Sequence, residues 1–151
     1  MTRPSRNIDQ ILIKTALEMI PDTGFTGLKV RALAKKAGVN LAMFTYHFKT
    51  KDLFIERILS EVYEKFFNNL HLESTRNEDC LDRLRNSLRV AALFVRDHRE
   101  LIVPFIEEIM MGNTKIMTFA KKNMTRHLVL IGTLISECQK LGCIIDAPLT
   151  V

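Results

Sequence analysis

The amino-acid sequence predicts an all-α protein. Apolar residues recur at spacings of three and four from Ile8 to Ile20 and again along most of the chain, which is the periodicity of helices with one buried face. No segment alternates apolar and polar residues for long enough to indicate a strand. The 6 glycines and 4 prolines are few, and several stand where the helical pattern stops. Helices joined by short turns are therefore expected.

Seven helices follow from this periodicity and its stop signals. Ser5 or Asn7 is placed to cap the first helix, and the segment Pro21–Gly24 is expected to end it. Pro104 is expected to be tolerated because it lies close to the start of the sixth helix. The predicted helices cover approximately residues 8–20, 28–37, 40–48, 51–73, 81–95, 98–111 and 116–141.

The segment from Val30 to Phe48 is the most informative part of the chain. Ala34 is small enough for two helices to cross closely, and Gly38 stands where a first helix must stop and the backbone favours positive φ. Asn40 is a good cap for the helix that follows. This arrangement is the pattern of a helix-turn-helix, which places its second helix in a DNA major groove.

The second helix of this motif has two different faces. Phe44 and Phe48 lie four residues apart, so they share a face and are assigned to the core. Leu41, Thr45 and Tyr46 point away from that face. The helix therefore offers a surface to a partner.

Positive charge is concentrated on the same segment. Residues 1–51 hold nine Lys or Arg against three acidic residues, a balance of +6, whereas residues 52–151 hold thirteen against fourteen, a balance of −1. A dispersed charge of +5 would favour an ordinary solvated basic face. Confined to the helix-turn-helix segment, the excess is the electrostatic footprint of a polyphosphate partner.

Other classes of site find little support. Cys80, Cys138 and Cys143 have neither disulfide nor zinc spacing, so reduced thiols are expected and neither a metal nor a cofactor is predicted. The remaining histidines are scattered, and the chain contains no catalytic-triad motif or glycine-rich phosphate loop. We expect no enzyme. No apolar run is long enough to span a bilayer and no signal peptide is recognised, so a cytoplasmic protein is predicted.

A series of spaced motifs runs from Ile8 to Phe54. In chain order they are Ala16-Leu17, Gly24-Phe25, Val30-Arg31-Ala32-Leu33-Ala34, Ala37-Gly38-Val39-Asn40, Tyr46-His47-Phe48 and Lys51-Asp52-Leu53. Together they resemble the DNA-binding domain of TetR-type bacterial transcriptional regulators. The Asn40, Ala42 and Tyr46-His47-Phe48 combination is similar to a branch of that family with Asn, Ala and Tyr-His-Phe in the recognition helix. The resemblance covers about a third of the chain.

The resemblance implies a set of DNA contacts. Arg31 matches a position that reaches base edges, and bidentate contact of arginine with guanine is the commonest specific pairing. Tyr46 and His47 match positions that contact phosphates, although for His47 a packed histidine capping the helix is the alternative. Lys51 lies in the first turn of the fourth predicted helix, where its ammonium group and the backbone N–H groups are expected to converge on one phosphate. Leu41 and Ala42 are placed to meet thymine methyl groups. The expected DNA-binding residues are Lys29, Arg31, Leu41, Ala42, Thr45, Tyr46, His47 and Lys51.

Three departures from the family pattern bear on this expectation. The usual tyrosine of the recognition helix is Thr45 here, with Tyr46 one place later. Leu28 and Lys29 replace the Ser or Thr that often begins the second helix. The sequence stops at residues 146–151, which look like the opening of another helix, whereas family members usually continue for a further helix pair.

The resemblance also implies a two-domain organisation. We expect a helix-turn-helix domain at residues 1–50 and a helical ligand-binding and dimerisation domain at residues 51–151 that is incomplete at its C-terminus. Pliable apolar side chains of the second domain usually form core, but the family resemblance suggests that some line a ligand cavity. The candidates are Phe66, Phe94, Phe105, Met110, Met117 and Phe119. The expected dimer surface is an apolar face of the last predicted helix, formed by Leu128, Ile131, Leu134, Ile135 and Cys138.

These observations predict a sequence-specific transcriptional regulator. The partners implied are a palindromic double-stranded DNA operator, a small hydrophobic or amphipathic inducer and a second copy of the chain, with repression as the expected action. Two alternatives remain open. One is a helical small-molecule or protein-binding module that has lost DNA binding, which Thr45 and the early stop favour. The other is a DNA-binding activator or architectural protein.

Overall fold

The structure, a computed structural model, describes residues 5–145 and consists of helices without strands in that range. The predicted all-α fold is therefore confirmed. The side chains of Ser5 and Asn7 and the expected helix opening at residues 146–151 lie outside the described part. The helices are α1 (Ser5–Gly27), α2 (Val30–Lys36), α3 (Leu41–Phe48), α4 (Lys51–Ser74), α5 (Cys80–Asp97), α6 (Arg99–Met110), α7 (Thr114–Asn123) and α8 (Thr125–Lys140).

The first helix is interrupted within the segment that the sequence predicts to end it. Pro21 lies inside α1, and the helical conformation is interrupted only at Gly24, whose φ is 64° and ψ is 178°. The interruption therefore lies within the segment Pro21–Gly24 that the sequence predicts to end the helix, and the helical assignment resumes after it as far as Gly27. Phe25, directly after the interruption, is fully buried and holds the following segment against the core.

The turn between α2 and α3 has the geometry that the sequence predicts. Gly38 has a φ of 65°, in the left-handed region that glycine adopts without strain. The N–H of Val39 donates to the carbonyl oxygen of Ala34 at 2.9 Å, and Ala34 is buried. The side chain of Asn40 caps α3 by accepting from the N–H of Ala42 at 2.9 Å. The predicted helix-turn-helix is confirmed.

Three phenylalanines form the core beneath α3 and the start of α4. The ring of Phe54 lies 4.6 Å from that of Phe48 and 5.1 Å from that of Phe44, measured between centroids. All three side chains are buried, as predicted for Phe44 and Phe48. The Oγ1 of Thr50 accepts from the N–H of Leu53 at 3.2 Å and caps α4. Aromatic packing therefore fixes α3 on the start of α4.

The chain divides into two compact units, of which the first comprises residues 5–61 and His98–Thr118. Here α1 packs on α6, with the rings of Phe25 and Phe105 edge to face at 6.4 Å. The core also contains Leu12, Ile20 and Leu28. The functional boundary between residues 50 and 51 stays a prediction, since a compact unit is not itself a functional domain.

The second compact unit comprises Val62–Asp97 and residues 119–145. In this unit α5 packs on α8 through a core of Cys80, Leu84, Leu134 and Cys138. Leu134 and Cys138 are therefore not free to form the expected dimer surface, and the assignment of these two residues to it is wrong. Ile131 and Ile135 of the same expected surface are partly buried against this core. Leu128 on the same helix remains exposed.

The last predicted helix is two helices. It was expected to run from Ile116 to about Leu141, whereas α7 ends at Asn123 and α8 begins at Thr125. The side-chain Nδ2 of Asn123 donates to the carbonyl oxygen of Phe119 at 3.0 Å. The backbone of Met124 nevertheless keeps helical angles, with a φ of −77° and a ψ of −17°, and its N–H donates to the carbonyl oxygen of Ala120 at 2.8 Å, so the interruption is a local one.

The three cysteines are free thiols, two buried and Cys143 exposed. Burial, reinforced by the neighbouring Cys80, raises the pKa of Cys138 to about 12, so this thiol stays protonated at neutral pH. Within residues 5–145, no group of three or more His, Cys, Asp and Glu side chains is placed to hold a metal ion. Over the same range, every helix is too short or too polar to cross a membrane.

Candidate DNA-binding surface

The exposed side chains of the helix-turn-helix form one candidate surface, which we term the reading face. On α3, Leu41 and Thr45 are one helical turn apart, and Ala42 and Tyr46 lie beside them at the same spacing. The side chain of Tyr46 is 77% exposed. The reading face consists of Lys29, Arg31, Leu41, Ala42, Thr45 and Tyr46, all of which are exposed.

The structure explains why these residues are free to meet a partner. Each short helix buries its opposite side, α2 through Leu33 and Ala34 and α3 through Phe44 and Phe48. The exposed side of α2 also carries Lys35 and Lys36, and Lys36 pairs with Glu18 at 3.5 Å. The reading face thus combines polar and small apolar groups with surrounding positive charge, as base edges and phosphates require.

His47 does not belong to the reading face. Its side chain is only 6% exposed, and Nδ1 lies 2.7 Å from the Oδ1 of Asp9 on α1. Nε2 is buried and has no hydrogen-bond partner among the described residues. The structure thus places this histidine in the contact between α1 and α3, and its contact with a phosphate stays a prediction.

Lys51 is held beside the reading face by its own chain. Its Nζ donates to the carbonyl oxygen of Thr26 at 2.5 Å. Burial lowers the pKa of Lys51, while the nearby Glu108 and Asp52 act in the opposite direction. An ammonium group has three donors, so two remain for another partner. The predicted phosphate contact is compatible with this position and stays a prediction.

Glu108 is a buried carboxylate that the sequence reasoning missed. Its Oε1 accepts from the N–H of Thr26 at 2.6 Å, and its Oε2 accepts from the Thr26 hydroxyl at 2.5 Å and from the Nδ2 of Asn113 at 2.6 Å. Burial alone would raise the pKa of Glu108, but these bonds and the N–H of Phe25 hold it below its usual value. No sequence pattern near residue 108 predicts this contact.

The candidate ligand residues are divided between the two compact units. Phe66 and Phe94 are stacked in the second unit with centroids 4.4 Å apart. Phe105 is buried against Phe25 in the first unit, Phe119 is buried in the second, and Met117 is partly exposed. Met110 is 81% exposed. A shared cavity lined by all six residues stays an untested prediction, and Phe66 and Phe94 are the pair that the structure brings together.

Two polar residues missed by the sequence reasoning border that pair. The hydroxyl of Tyr63 lies 3.4 Å from the Nδ1 of His127, and the ring of Phe66 lies 5.6 Å from that of His127. The guanidinium of Arg126 lies 3.9 Å from the ring centroid of Phe67. The spacing of the aromatic residues on α4 could have indicated part of this group. We term Tyr63, Phe66, Phe67, Phe94 and His127 the aromatic cluster.

Acidification is expected to destabilise the protein through His127. Burial lowers the pKa of this imidazole, so the folded state binds fewer protons than the unfolded chain, in which histidine titrates near about 6.5. The stability that depends on neutral His127 is therefore present above that pH and is lost as pH falls toward the folded-state pKa. Thermal melting across this range should show a steeper loss for the wild type than for His127→Gln. Equal slopes would contradict this assignment.

Known proteins resemble the chain along most of its length. Residues 12–58 match the family model described as "Bacterial regulatory proteins, tetR family". The "Probable HTH-type transcriptional regulator YttP" of Bacillus subtilis (strain 168) is 25% identical over 140 residues, covering 91% of this chain and 68% of that protein. The "Tetracycline repressor protein class C" of Escherichia coli is 34% identical over 70 residues, covering 46% of this chain and 30% of that protein.

A solved structure shows a similar arrangement of helices. It is that of the TetR family transcriptional regulator PfmR from Thermus thermophilus, with a TM-score of 0.76. The match covers 91% of this chain and 75% of that one at 14% sequence identity. At so low an identity the likeness concerns the fold, and it agrees with the all-helical architecture described above.

Proposed function

We propose that this chain, a DNA-binding transcriptional regulator whose residues 12–58 match the TetR-type amino-terminal domain, is a ligand-responsive repressor of a palindromic operator. The observation that carries the proposal is the reading face, which is exposed on a helix-turn-helix in the segment with the excess of positive charge. The name of the Escherichia coli relative, a repressor, supports repression as the action. We place the protein in the cytoplasm, where its operator would be.

In this proposal α3 enters the major groove. Leu41 and Ala42 then lie toward thymine methyl groups, and Arg31 on α2 reaches a guanine edge. Phosphates on either side are contacted by Lys29, Tyr46 and Lys51 and by the N–H groups at the start of α4. Thr45 takes the place where the family usually has tyrosine. His47 contributes by holding α3 on α1 at Asp9.

The ligand of this proposal is a small hydrophobic or amphipathic molecule that meets the aromatic cluster. Aromatic faces supply apolar area, while Tyr63 and His127 supply polar atoms that orient a ligand. For the ligand to release DNA it must bind the non-binding state of the protein better, because equal affinity for both states shifts nothing. The path assigned to this signal is α4, which continues from Lys51 to the aromatic cluster.

The proposal includes a homodimer, because paired recognition helices read two half-sites one DNA turn apart. Exposed apolar residues on α8 support this, since Leu128 is 55% exposed and Val129 is 69% exposed. An operator recognised by such a dimer has two inverted half-sites. The symmetry of the bound DNA therefore tests the dimer together with the function.

The experiment is to sequence the genomic DNA fragments that the protein retains. We expect one or a few sites with two-fold symmetry, and an affinity that falls steeply as salt rises, because phosphate contacts release counterions. If no fragment is enriched and the affinity for DNA does not depend on salt, the proposal is overturned in favour of a helical small-molecule or protein-binding module that has lost DNA binding. Adding candidate hydrophobic ligands to the bound complex then tests the ligand response.

Replacing Arg31 with Ala is expected to relax base preference at one position of each half-site. The loss on the preferred sequence should be roughly 1–3 kcal/mol, and the loss on random DNA should be small, because a base contact is absent there. Arg89→Ala is the matched control, since it removes the same charge from an exposed position on α5. Titrations of both DNA sequences at fixed salt measure the difference. Equal losses on both sequences would show that Arg31 contacts the backbone only.

A further inference from the structure

The carboxylate of Glu108 joins two segments that lie 82 residues apart in the chain. Glu108 is buried near the end of α6 and accepts from both the N–H and the hydroxyl of Thr26, at 2.6 and 2.5 Å. Thr26 lies between the interruption at Gly24 and the start of α2. A charged acceptor makes stronger hydrogen bonds than a neutral one. The position of the segment before α2 is therefore fixed by a residue outside the helix-turn-helix.

The turn between α6 and α7 completes this contact. The Nδ2 of Asn113 donates to the Oε2 of Glu108 at 2.6 Å and to the Oγ1 of Thr26 at 3.2 Å. Its Oδ1 accepts from the N–H of Lys115 at 3.1 Å and so caps α7. The side chain of Lys115 in turn pairs with Asp52 in the first turn of α4. One asparagine thus connects the start of α7 to the buried carboxylate.

A side chain at the start of α4 also contacts the backbone of Thr26. The Nζ of Lys51 donates to the carbonyl oxygen of Thr26 at 2.5 Å. Both polar groups of the Thr26 backbone are therefore held by side chains, one from α6 and one from α4. We term Thr26, Lys51, Glu108 and Asn113 the Thr26 node. All four residues belong to the first compact unit.

We propose that Glu108 is a positioning residue for DNA binding, which holds the segment before α2 so that α2 and α3 present the reading face in the DNA-binding orientation. This inference rests on the proposed function. Leu28 is buried two residues after Thr26, so a displacement of Thr26 moves the entry to α2. Packed elements respond to such a displacement by adopting another arrangement more often than by bending. Glu108 itself contacts no DNA in this scheme.

The direction of the change in DNA affinity on replacing Glu108 distinguishes a positioning role from a purely electrostatic one. Removing a negative charge from a protein favours its binding to polyphosphate DNA. Positioning predicts the opposite for Glu108, because the amide of Gln places donors where Thr26 and Asn113 also donate. Only a fraction of the molecules would then adopt the binding-competent arrangement. The apparent affinity equals the intrinsic affinity multiplied by this competent fraction, so it falls.

The test compares Glu108→Gln with Glu107→Gln, a matched control that removes the same charge from an exposed position one residue earlier on α6. For Glu108→Gln we expect binding to the genomic site to weaken on the order of tenfold, with the salt slope unchanged because no phosphate contact is lost. Glu107→Gln should bind as well as the wild type or slightly better. Binding is measured at a temperature where melting curves show every variant folded.

Amide hydrogen exchange on the protein without DNA is the second measurement. Glu108→Gln should speed exchange at Thr26 and along α2 and α3 while leaving α5 and α8 unchanged. If the Glu108→Gln variant melts at a lower temperature but binds DNA like the wild type, the role of Glu108 is only structural, and the inference is overturned. Unchanged exchange at Thr26 also overturns it. A wild-type protein that bound no DNA would instead overturn the proposed function.

Discussion

Replacing Phe54 with Ala is expected to lower the free energy of unfolding by about 3–5 kcal/mol, the usual cost of removing a buried aromatic ring. Phe54 is fully buried and its ring contacts those of Phe44 and Phe48. A domain of this size is stable by about 5–15 kcal/mol in total, so the loss is a large fraction. Denaturant unfolding monitored by circular dichroism measures it. DNA binding should weaken as well, because α3 loses its support.

Leu53→Ala is the control for this prediction. Leu53 is the preceding residue on α4 and is 49% exposed, so it leaves little cavity when truncated. We expect a cost below about 1 kcal/mol, since substitutions outside the core are usually small in effect. If both variants lost equal stability, the aromatic packing would not be what holds α3 on α4. The comparison thus isolates the buried ring from the change in side-chain size.

Local signals made the helix-turn-helix predictable from the sequence. Gly38 and Asn40 act within a few residues, one by adopting positive φ and the other by capping α3. The spacing of Phe44 and Phe48 likewise determines which side of a short helix faces the core. Each of these features depends on neighbours along the chain, so a single sequence carries enough information to place them.

Contacts between distant segments were not predictable in the same way. The bond between Glu108 and Thr26 joins residues 82 apart, and no periodicity relates them. The inward position of His47 depends on Asp9 of another helix, although the sequence analysis had raised a packed histidine as an alternative. Met110 belongs to an apolar stripe in sequence but lies at an exposed helix end. In each case the outcome depends on which helices pack together.

The largest backbone effect is expected at Gly24. Its φ of 64° and ψ of 178° lie in a region that is essentially restricted to glycine. Gly24→Ala should therefore lower the free energy of unfolding by roughly 1–3 kcal/mol. The added Cβ would also lie 3.2 Å from the Oε1 of Glu108, closer than ordinary contact. Gly27→Ala is the control in the same segment, where the nearest atom is the Cβ of Thr23 at 3.7 Å, and a change within about 0.5 kcal/mol is expected.

Two causes contribute to the Gly24→Ala penalty, and a second substitution separates them. Glu108→Ala removes the oxygen that the new Cβ approaches, but it does not change the backbone conformation of residue 24. We expect most of the Gly24→Ala penalty to persist in the Glu108→Ala background, because a carboxylate at the end of a side chain can move by a few tenths of an ångström while φ cannot relax. A penalty that disappeared in that background would show that the contact with Glu108, and not the conformation, requires glycine at this position. The segment before α2 would then be constrained by Glu108 alone.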